Sequence, residues 1–418
     1  MSLIAILLSL SAIFAYINKK FIKLPSAIGL MAVSIVFSLG IAFLGKSLFG
    51  LDSVAEQWLR QIDFHSVVMD VMLAFLLFAG ALHVSFKDLK EVGGAIALTS
   101  TLGLLLSSLI IGFLLLQSFA LLGISLPWIY CWLFGALISP TDPIAVMGIL
   151  KKAGVSQAIE SKIVGESLIN DGVGVVLFLM LVGVLQSGFD AVSAQDVLYL
   201  FLQEAVGGAL IGLLLGQTAF YLLRTIDDYQ VEVLMTLALV CGGYTLAQYL
   251  HSSGPIAMVA AGLLIGNPGR RDAMSTETRK RLDEFWELVD GILNAVLFVL
   301  IGLETLLIKV DSSNFWLLFV AIPIVLFARF LSIGSAINLL KLFGSKFNPH
   351  SIKLLWWGGL RGGISIALAL SLPQSEFKEM IVKMTYGVVV FSVLIQGLTV
   401  GPLANKLRGK NVDPKAVL

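Results

Sequence analysis

Apolar stretches long enough to cross a lipid bilayer recur along the whole chain. A helix needs about 20 apolar residues to span the hydrocarbon core of a membrane. Hydrophobic residues make up 58% of the 418 residues and charged residues only 13%, whereas a soluble domain carries roughly 25% charged residues. We therefore predict an all-α polytopic membrane protein whose main solvent is the lipid bilayer. The net charge of +1 provides no large field for binding nucleic acid.

The apolar pattern predicts about 13 transmembrane helices. They cover residues 2–17, 24–45, 64–86, 93–117, 126–150, 161–186, 198–223, 231–250, 255–267, 290–308, 315–340, 354–371 and 380–404. The predicted fifth and twelfth spans contain proline or glycine clusters. Interrupted spans at matching positions favour two inverted six-helix repeats, whose crossed interrupted helices form an ion site near the bilayer midplane.

Lysines and arginines orient these spans. Of the 28 basic residues, 21 fall in one set of loops and only five in the alternate set: Lys46, Arg60, Lys309, Lys378 and Lys383. Because cytoplasmic loops carry the excess of positive charge, we expect the N-terminus outside and the C-terminus in the cytoplasm. Residues 274–290 alternate charged and apolar side chains at helical spacing, which predicts an amphipathic helix on the cytoplasmic interface.

The predicted fifth span contains the sequence Ser139–Pro143, with prolines at positions 140 and 143. Proline removes a backbone donor and clashes with the preceding helical turn, so a continuous helix is not expected. Broken helices at membrane depth occur where they are buried in protein or line a cavity. The freed carbonyls, the Thr141 hydroxyl and the Asp142 carboxylate would offer oxygen ligands to a hard cation. A proline kink with a capping aspartate is the alternative.

The predicted sixth span contains four polar side chains within two turns: Glu166, Ser167, Asn170 and Asp171. Helical spacing places Ser167 over Asp171 and Glu166 over Asn170, on adjoining stripes of one face. Flanking glycines let another backbone come close. Asp171 lies near the midplane, where burial disfavours a lone charged carboxylate, and we expect it to exchange a proton for a cation. A purely structural hydrogen-bond cluster is the alternative.

Two further arginines lie inside predicted spans. Arg329 occupies the middle of the eleventh span and, because it cannot lose its proton, needs a buried partner. Glu166 is the best available acid, which leaves Asp171 free to titrate. Arg361 follows glycines in the twelfth span, and it either offsets the negative ends of half-helix dipoles or extends to the cytoplasmic interface.

These motifs carry a family resemblance. Residues 139–143, Gly165–Asp171 and Gly358–Gly362, together with Phe298–Glu304 and Ala328-Arg329, resemble the monovalent cation:proton antiporter 1 family. That family contains the prokaryotic sodium/proton antiporters related to sodium/hydrogen exchangers, and the similarity runs over nearly all of the predicted spans.

The resemblance implies a homodimer in the cell (inner) membrane, with a core and a dimerisation domain in each protomer. Residues 1–60 then supply dimerisation-side helices, and residues 198–267 supply linking and dimerisation-side helices. The core helices are residues 64–186 in the first repeat, with the ion site at 139–171, and residues 290–404 in the second. Residues 274–290 remain the cytoplasmic amphipathic helix, and residues 405–418 form a short cytoplasmic tail.

The resemblance also assigns roles to matching positions. Asp171 is the carrier of cation and proton, with Asp142, Thr141 and Ser167 as further ligands of Na⁺ or Li⁺, while Glu166 pairs with Arg329. Asn170 belongs to the same ion-binding set and stands where electrogenic relatives have a second aspartate, which implies electroneutral one-for-one exchange. For Arg361 the role we predict is to compensate the negative ends of the half-helix dipoles.

One position departs from the family pattern. Some relatives carry a third-span carboxylate that reaches the ion, but Leu77-Phe78 is followed here by Ala79-Gly80. Asp70 lies more than two turns earlier, so it is a poor replacement. Water or a backbone carbonyl would complete the ion's shell.

We predict a secondary active antiporter, not an enzyme, in which Na⁺ (or Li⁺) and H⁺ compete for Asp171 under alternating access. No Gly-rich nucleotide-binding loop is found in the sequence, so ion gradients rather than ATP would drive exchange, and no cofactor is expected. The alternatives are a K⁺/H⁺ antiporter on the same fold, a cation channel, which would want a continuous polar pore, and a membrane sensor, which would need an output domain.

Overall fold

The computed structural model describes residues 2–44, 63–84, 86–143, 147, 157–188, 194–269, 273–306, 316–342 and 349–408. Within these ranges ten helices are long and apolar enough to cross a membrane, and two apolar helices, Trp128–Ile138 and Gly254–Asn267, are shorter. The prediction of an all-α polytopic membrane protein is confirmed. The count of 13 spans and the inverted repeats stay predictions, and most of the second half of the predicted fifth span and residues 409–418 lie outside the described residues.

The first half of the described chain contains α1 Ser2–Ile17, α2 Ser26–Leu44, α3 Leu73–Leu82, α4 Phe86–Leu121, α5 Trp128–Ile138, α6 Gln157–Ser187, α7 Ala194–Leu202 and α8 Gly208–Leu223. The second half contains α9 Tyr229–Tyr249, α10 Gly254–Leu264, α11 Thr276–Glu304, α12 Trp316–Leu342, α13 Pro349–Trp357, α14 Gly363–Ser371, α15 Glu376–Phe391 and α16 Gly397–Arg408. Short π-helical segments prolong or join helices at Asn18–Ile22, Val67–Met72, Gln203–Gly207, Ile265–Gly269 and Ser392–Gln396.

Two spans are interrupted where the sequence predicts it. Helix α5 ends at Ile138, two residues before Pro140, and α13 ends at Trp357, directly before two glycines. The two irregular segments meet, because the Asp142 N–H donates to the Leu360 carbonyl at 2.7 Å in an isolated antiparallel bridge. Each segment thereby supplies the other with hydrogen bonding that lipid does not offer.

The amphipathic segment at 274–290 is not a separate helix. It continues into the predicted tenth span as α11, which begins after Ser275, whose hydroxyl accepts a hydrogen bond from the Thr278 N–H at 3.3 Å. Leu282 and Trp286 are fully buried, and Trp286 Nε1 donates to the Thr236 hydroxyl at 3.1 Å. Leu282 and Trp286 therefore pack on protein, whereas Leu288 is exposed, and the helix continues past residue 290.

Helices α8 and α10 approach each other through glycines spaced four residues apart. A Cβ on Gly208 would lie 2.5 Å from the Ser253 carbonyl oxygen, and one on Gly212 would overlap the Ala257 carbonyl oxygen. Small residues at this spacing allow close helix packing inside a membrane, where lipid tails compete equally for apolar surface.

Replacing Gly212 by alanine therefore places a methyl group against backbone that has no room to move. We expect Gly212→Ala to lower the free energy of unfolding by about 1–3 kcal/mol, the usual cost of overpacking. The matched control is Gly242→Ala, because a Cβ at Gly242 meets nothing within 4 Å. Alanine has a higher helix propensity than glycine, so this variant should be at least as stable as the native chain. Equal melting temperatures for the two variants in the same detergent would contradict this packing.

Candidate ion-binding site

A cavity of about 490 Å³ reaches from exposed side chains to a buried carboxylate. His83 and Glu287, which are exposed, line it together with Asp290. Thr141 and Asp171 also line it, and Asp171 is only 8% exposed. The cavity therefore connects an exposed surface to an acid buried inside the helix bundle.

Helix α6 packs its polar face against the interruption after α5. The Ser167 hydroxyl donates to the Thr141 carbonyl, and Asn170 Nδ2 donates to Thr141 Oγ1 at 3.4 Å. A Cβ on Gly174 would overlap the Pro140 ring, so this glycine permits the close approach that the sequence predicts. The spacing of the polar residues on α6 thus brings several oxygens around one stretch of irregular backbone.

The two aspartates occupy adjoining positions in this arrangement. Asp142 lies on the irregular segment, so close to the second interruption that a Cβ on Gly362 would fall 2.5 Å from Asp142 Oδ2. Asp142 and Asp171 are near enough for their charges to interact. Asn170 Oδ1 is buried and has no hydrogen-bond partner among the described residues. Carboxylate and amide oxygens are the ligands that hard cations prefer.

The donor set differs from that of a resident metal centre. Within the described ranges, no three His, Cys, Asp or Glu side chains gather as they would around a metal ion. The two carboxylates are instead accompanied by neutral oxygens from Thr141, Ser167 and Asn170. Oxygen ligands of this kind suit hard cations, whereas nitrogen and sulfur ligands favour transition metals.

Two buried arginines surround the site without engaging Asp171. Arg329 Nη2 lies 2.7 Å from Glu166 Oε1, and the two side chains are 7% and 4% exposed. Arg361, at 2% exposure, donates to the Ser139 carbonyl and, at 3.0 Å, to the Pro140 carbonyl. These carbonyls follow the C-terminal end of α5, where the helix dipole is negative. The burial of Arg361 excludes the alternative in which it extends to the interface.

Several residues that line the cavity are absent from the sequence prediction. Ser365, on the first turn of α14, and the acids Glu287 and Asp290 on α11 are examples. Ser365 follows the glycine motif of the twelfth span by one turn, and that proximity is the signal available for finding it. The acids on α11 carry no such signal. They belong to an amphipathic pattern, which is equally typical of a helix at the headgroup interface.

The missing third-span carboxylate has no substitute at its own position. Ala79 and Gly80 line the cavity and contribute no side-chain oxygen. Asp70 is exposed and accepts a hydrogen bond from Gln248 Nε2 at 3.2 Å, and it is not among the residues that line the cavity.

Known proteins resemble this chain over nearly its full length. The family described as "Sodium/hydrogen exchanger, transmembrane" matches residues 8–406. The Na(+)/H(+) antiporter NhaP of Pseudomonas aeruginosa is 48% identical over 413 residues, which cover 97% of each chain. The Na(+)/H(+) antiporter NhaH of Halobacillus aidingensis is 36% identical over 395 residues, 93% of each. The structure of the sodium proton antiporter MjNhaP1 from Methanocaldococcus jannaschii has the same fold, with a TM-score of 0.75, 22% identity and 97% coverage of both chains.

The buried ion pair gives a test of the site's architecture. We expect Glu166→Ala to lower the free energy of unfolding by about 3–5 kcal/mol, because Arg329 keeps its charge and loses its partner in a buried place. The control is Glu277→Ala, which removes the exposed pair between Glu277 and Arg281 and should cost no more than about 1 kcal/mol.

The double variant Glu166→Ala/Arg329→Met should recover part of this loss, since the Arg329 charge is then no longer buried without its partner. The stabilities of all three variants are compared through their melting temperatures in the same detergent. A Glu166→Ala protein as stable as the native chain would contradict the pairing as a structural element.

Proposed function

The chain belongs to the sodium/hydrogen exchanger family, and on that premise we propose that it is a secondary active antiporter that exchanges Na⁺, or Li⁺, for H⁺. The observation that carries the proposal is the buried carboxylate of Asp171, which shares a cavity with exposed side chains. The relatives named as Na(+)/H(+) antiporters support sodium ions and protons as the exchanged pair. In this proposal ion gradients drive transport, so the protein is not an enzyme and uses no cofactor.

Competition at one carboxylate couples the two ions. Asp171 binds either a partly dehydrated Na⁺ or a proton, because burial disfavours its bare charged form. Asp142, Thr141, Ser167 and Asn170 supply further oxygens to the cation, and water completes the shell where relatives use a third-span acid. Among the described side chains none forms a salt bridge with Asp171, so none of them competes with the transported cation for this carboxylate.

Occupancy of the site controls its movement across the membrane barrier. An empty Asp171 would carry an unpaired charge through a low-dielectric region, which is costly. A proton or a sodium ion removes that charge, so either loaded form crosses and the empty form does not. We propose that the core helices move as a rigid body against the dimerisation-side helices and so open the site to each side in turn.

The same arrangement supports electroneutral one-for-one exchange. Asp171 changes its charge by one when it trades a proton for Na⁺, while Glu166 and Arg329 are held together in an ion pair. Asn170 is neutral and contributes an oxygen without a second titratable group. Each cycle then moves one positive charge in each direction.

We place the protein in the cell (inner) membrane as a homodimer, with its N-terminus outside and its C-terminus in the cytoplasm. The excess of lysine and arginine in one set of loops supports this orientation. The cavity then opens to the cytoplasm, since His83 ends the predicted third span on that side. The described site is therefore inward-facing.

Two alternatives use the same residues. A K⁺/H⁺ antiporter would bind its ion with the same oxygens, so only an ion panel separates the two cations. A cation channel would give a flux that does not depend on an imposed pH gradient, whereas an exchanger's flux reverses with that gradient.

Asp171→Asn tests the proposal directly, because the amide does not titrate and carries no negative charge to balance a bound cation. We expect Na⁺-driven proton movement in proteoliposomes to fall below detection while the purified protein stays folded. The control is Asp70→Asn, an acid-to-amide change on the third span outside the cavity, which should retain exchange. The same assay of the native chain with Na⁺, Li⁺ and K⁺ in turn measures its cation preference. Substantial exchange by Asp171→Asn would show that this residue is not the carrier.

A further inference from the structure

A second depression is lined by residues other than those of the ion site. It is a groove of about 560 Å³ between α12, α13 and α16, and it shares no lining residue with the cavity at Asp171. Its floor contains the aromatic rings of Phe330, Trp356 and Trp357. Two lysines, Lys353 on α13 and Lys406 on α16, also line it.

The aromatic residues of the groove are held in place by internal contacts. Trp356 Nε1 donates to the Leu326 carbonyl at 2.9 Å, and Trp357 Nε1 donates to the Thr399 hydroxyl at 2.8 Å. The ring centroids of Phe330 and Trp356 are 5.4 Å apart, and those of Trp356 and Trp357 are 5.5 Å apart. Since both indole N–H groups have protein partners, the rings contribute apolar surface to the groove.

The two lysines lie at the same depth in the predicted topology. Lys353 directly precedes the twelfth predicted span and Lys406 lies two residues after the thirteenth, and both ends are predicted to face the cytoplasm. Both side chains are exposed, and none of the described residues that line the groove is acidic. Tryptophans collect at the same membrane–water boundary. The groove therefore combines an apolar floor with two positive charges at headgroup level.

We propose that this groove binds an anionic phospholipid, with the phosphate-containing headgroup between Lys353 and Lys406 and an acyl chain along the aromatic floor. Basic pockets between transmembrane helices on the cytoplasmic side have the charge that anionic headgroups require. A zwitterionic lipid would fill the apolar floor equally but would gain little from the two ammonium groups. Helix α13 runs from this groove to the irregular segment at Gly358–Gly362, so the lipid would contact the helix that leads to this segment.

The test compares lipids that differ only in headgroup. Full-length protein in detergent is titrated with phosphatidylglycerol or with phosphatidylcholine of the same acyl chains, and native mass spectrometry counts the bound lipids. We expect the native chain to prefer phosphatidylglycerol. Lys353→Gln/Lys406→Gln should weaken its affinity for phosphatidylglycerol about 30-fold, from about 5-fold for each lysine near a membrane surface, and leave phosphatidylcholine unchanged.

The matched control is Lys19→Gln/Lys20→Gln, which removes two exposed lysines from the same predicted side of the membrane but outside the groove. This variant should bind phosphatidylglycerol as the native chain does, and both variants should melt at the native temperature in phosphatidylcholine. Equal binding of the two lipids, or equal loss of phosphatidylglycerol in both double variants, would overturn the proposal. The latter result would show general attraction of lipid to basic loops.

Discussion

An interrupted helix leaves backbone carbonyls without partners at a depth where lipid cannot supply any, and the rest of the site depends on how this chain satisfies them. Arg361 donates to the carbonyls of Ser139 and Pro140 at the end of α5. The bridge between Asp142 and Leu360 joins the two irregular segments to each other. Because protein groups satisfy this backbone, the chain can keep an unwound, oxygen-rich stretch beside α6.

The charges around these two irregular segments fall into two groups with different roles. Glu166 and Arg329 neutralise each other in a buried pair, and Arg361 is bound to backbone oxygens. Asp171 is left as a buried acid without a salt bridge among the described residues, at the wall of a cavity. The arginines thus stabilise the scaffold without occupying the carboxylate that the proposed exchange requires.

The local chemistry of the site could be predicted from sequence because each element breaks a rule of membrane helices. Paired prolines fixed the interruption after α5, and helical spacing placed Ser167, Asn170 and Asp171 on one face. The course of α11 was not predictable in the same way, because an amphipathic pattern does not reveal whether its apolar stripe meets lipid or protein. For Arg361 the sequence left two positions open, and its burial and its bonds to the Ser139 and Pro140 carbonyls distinguish them.

The central claim is that a cation and a proton exclude each other at Asp171, and proton release on cation binding measures this most directly. Purified protein in weakly buffered detergent solution is mixed with Na⁺ while a pH indicator follows released protons and a radioactive tracer follows bound Na⁺. The account predicts one proton released for each Na⁺ bound, and no coupled release from Asp171→Asn. Sodium binding without proton release, or undiminished release from that variant, would contradict it.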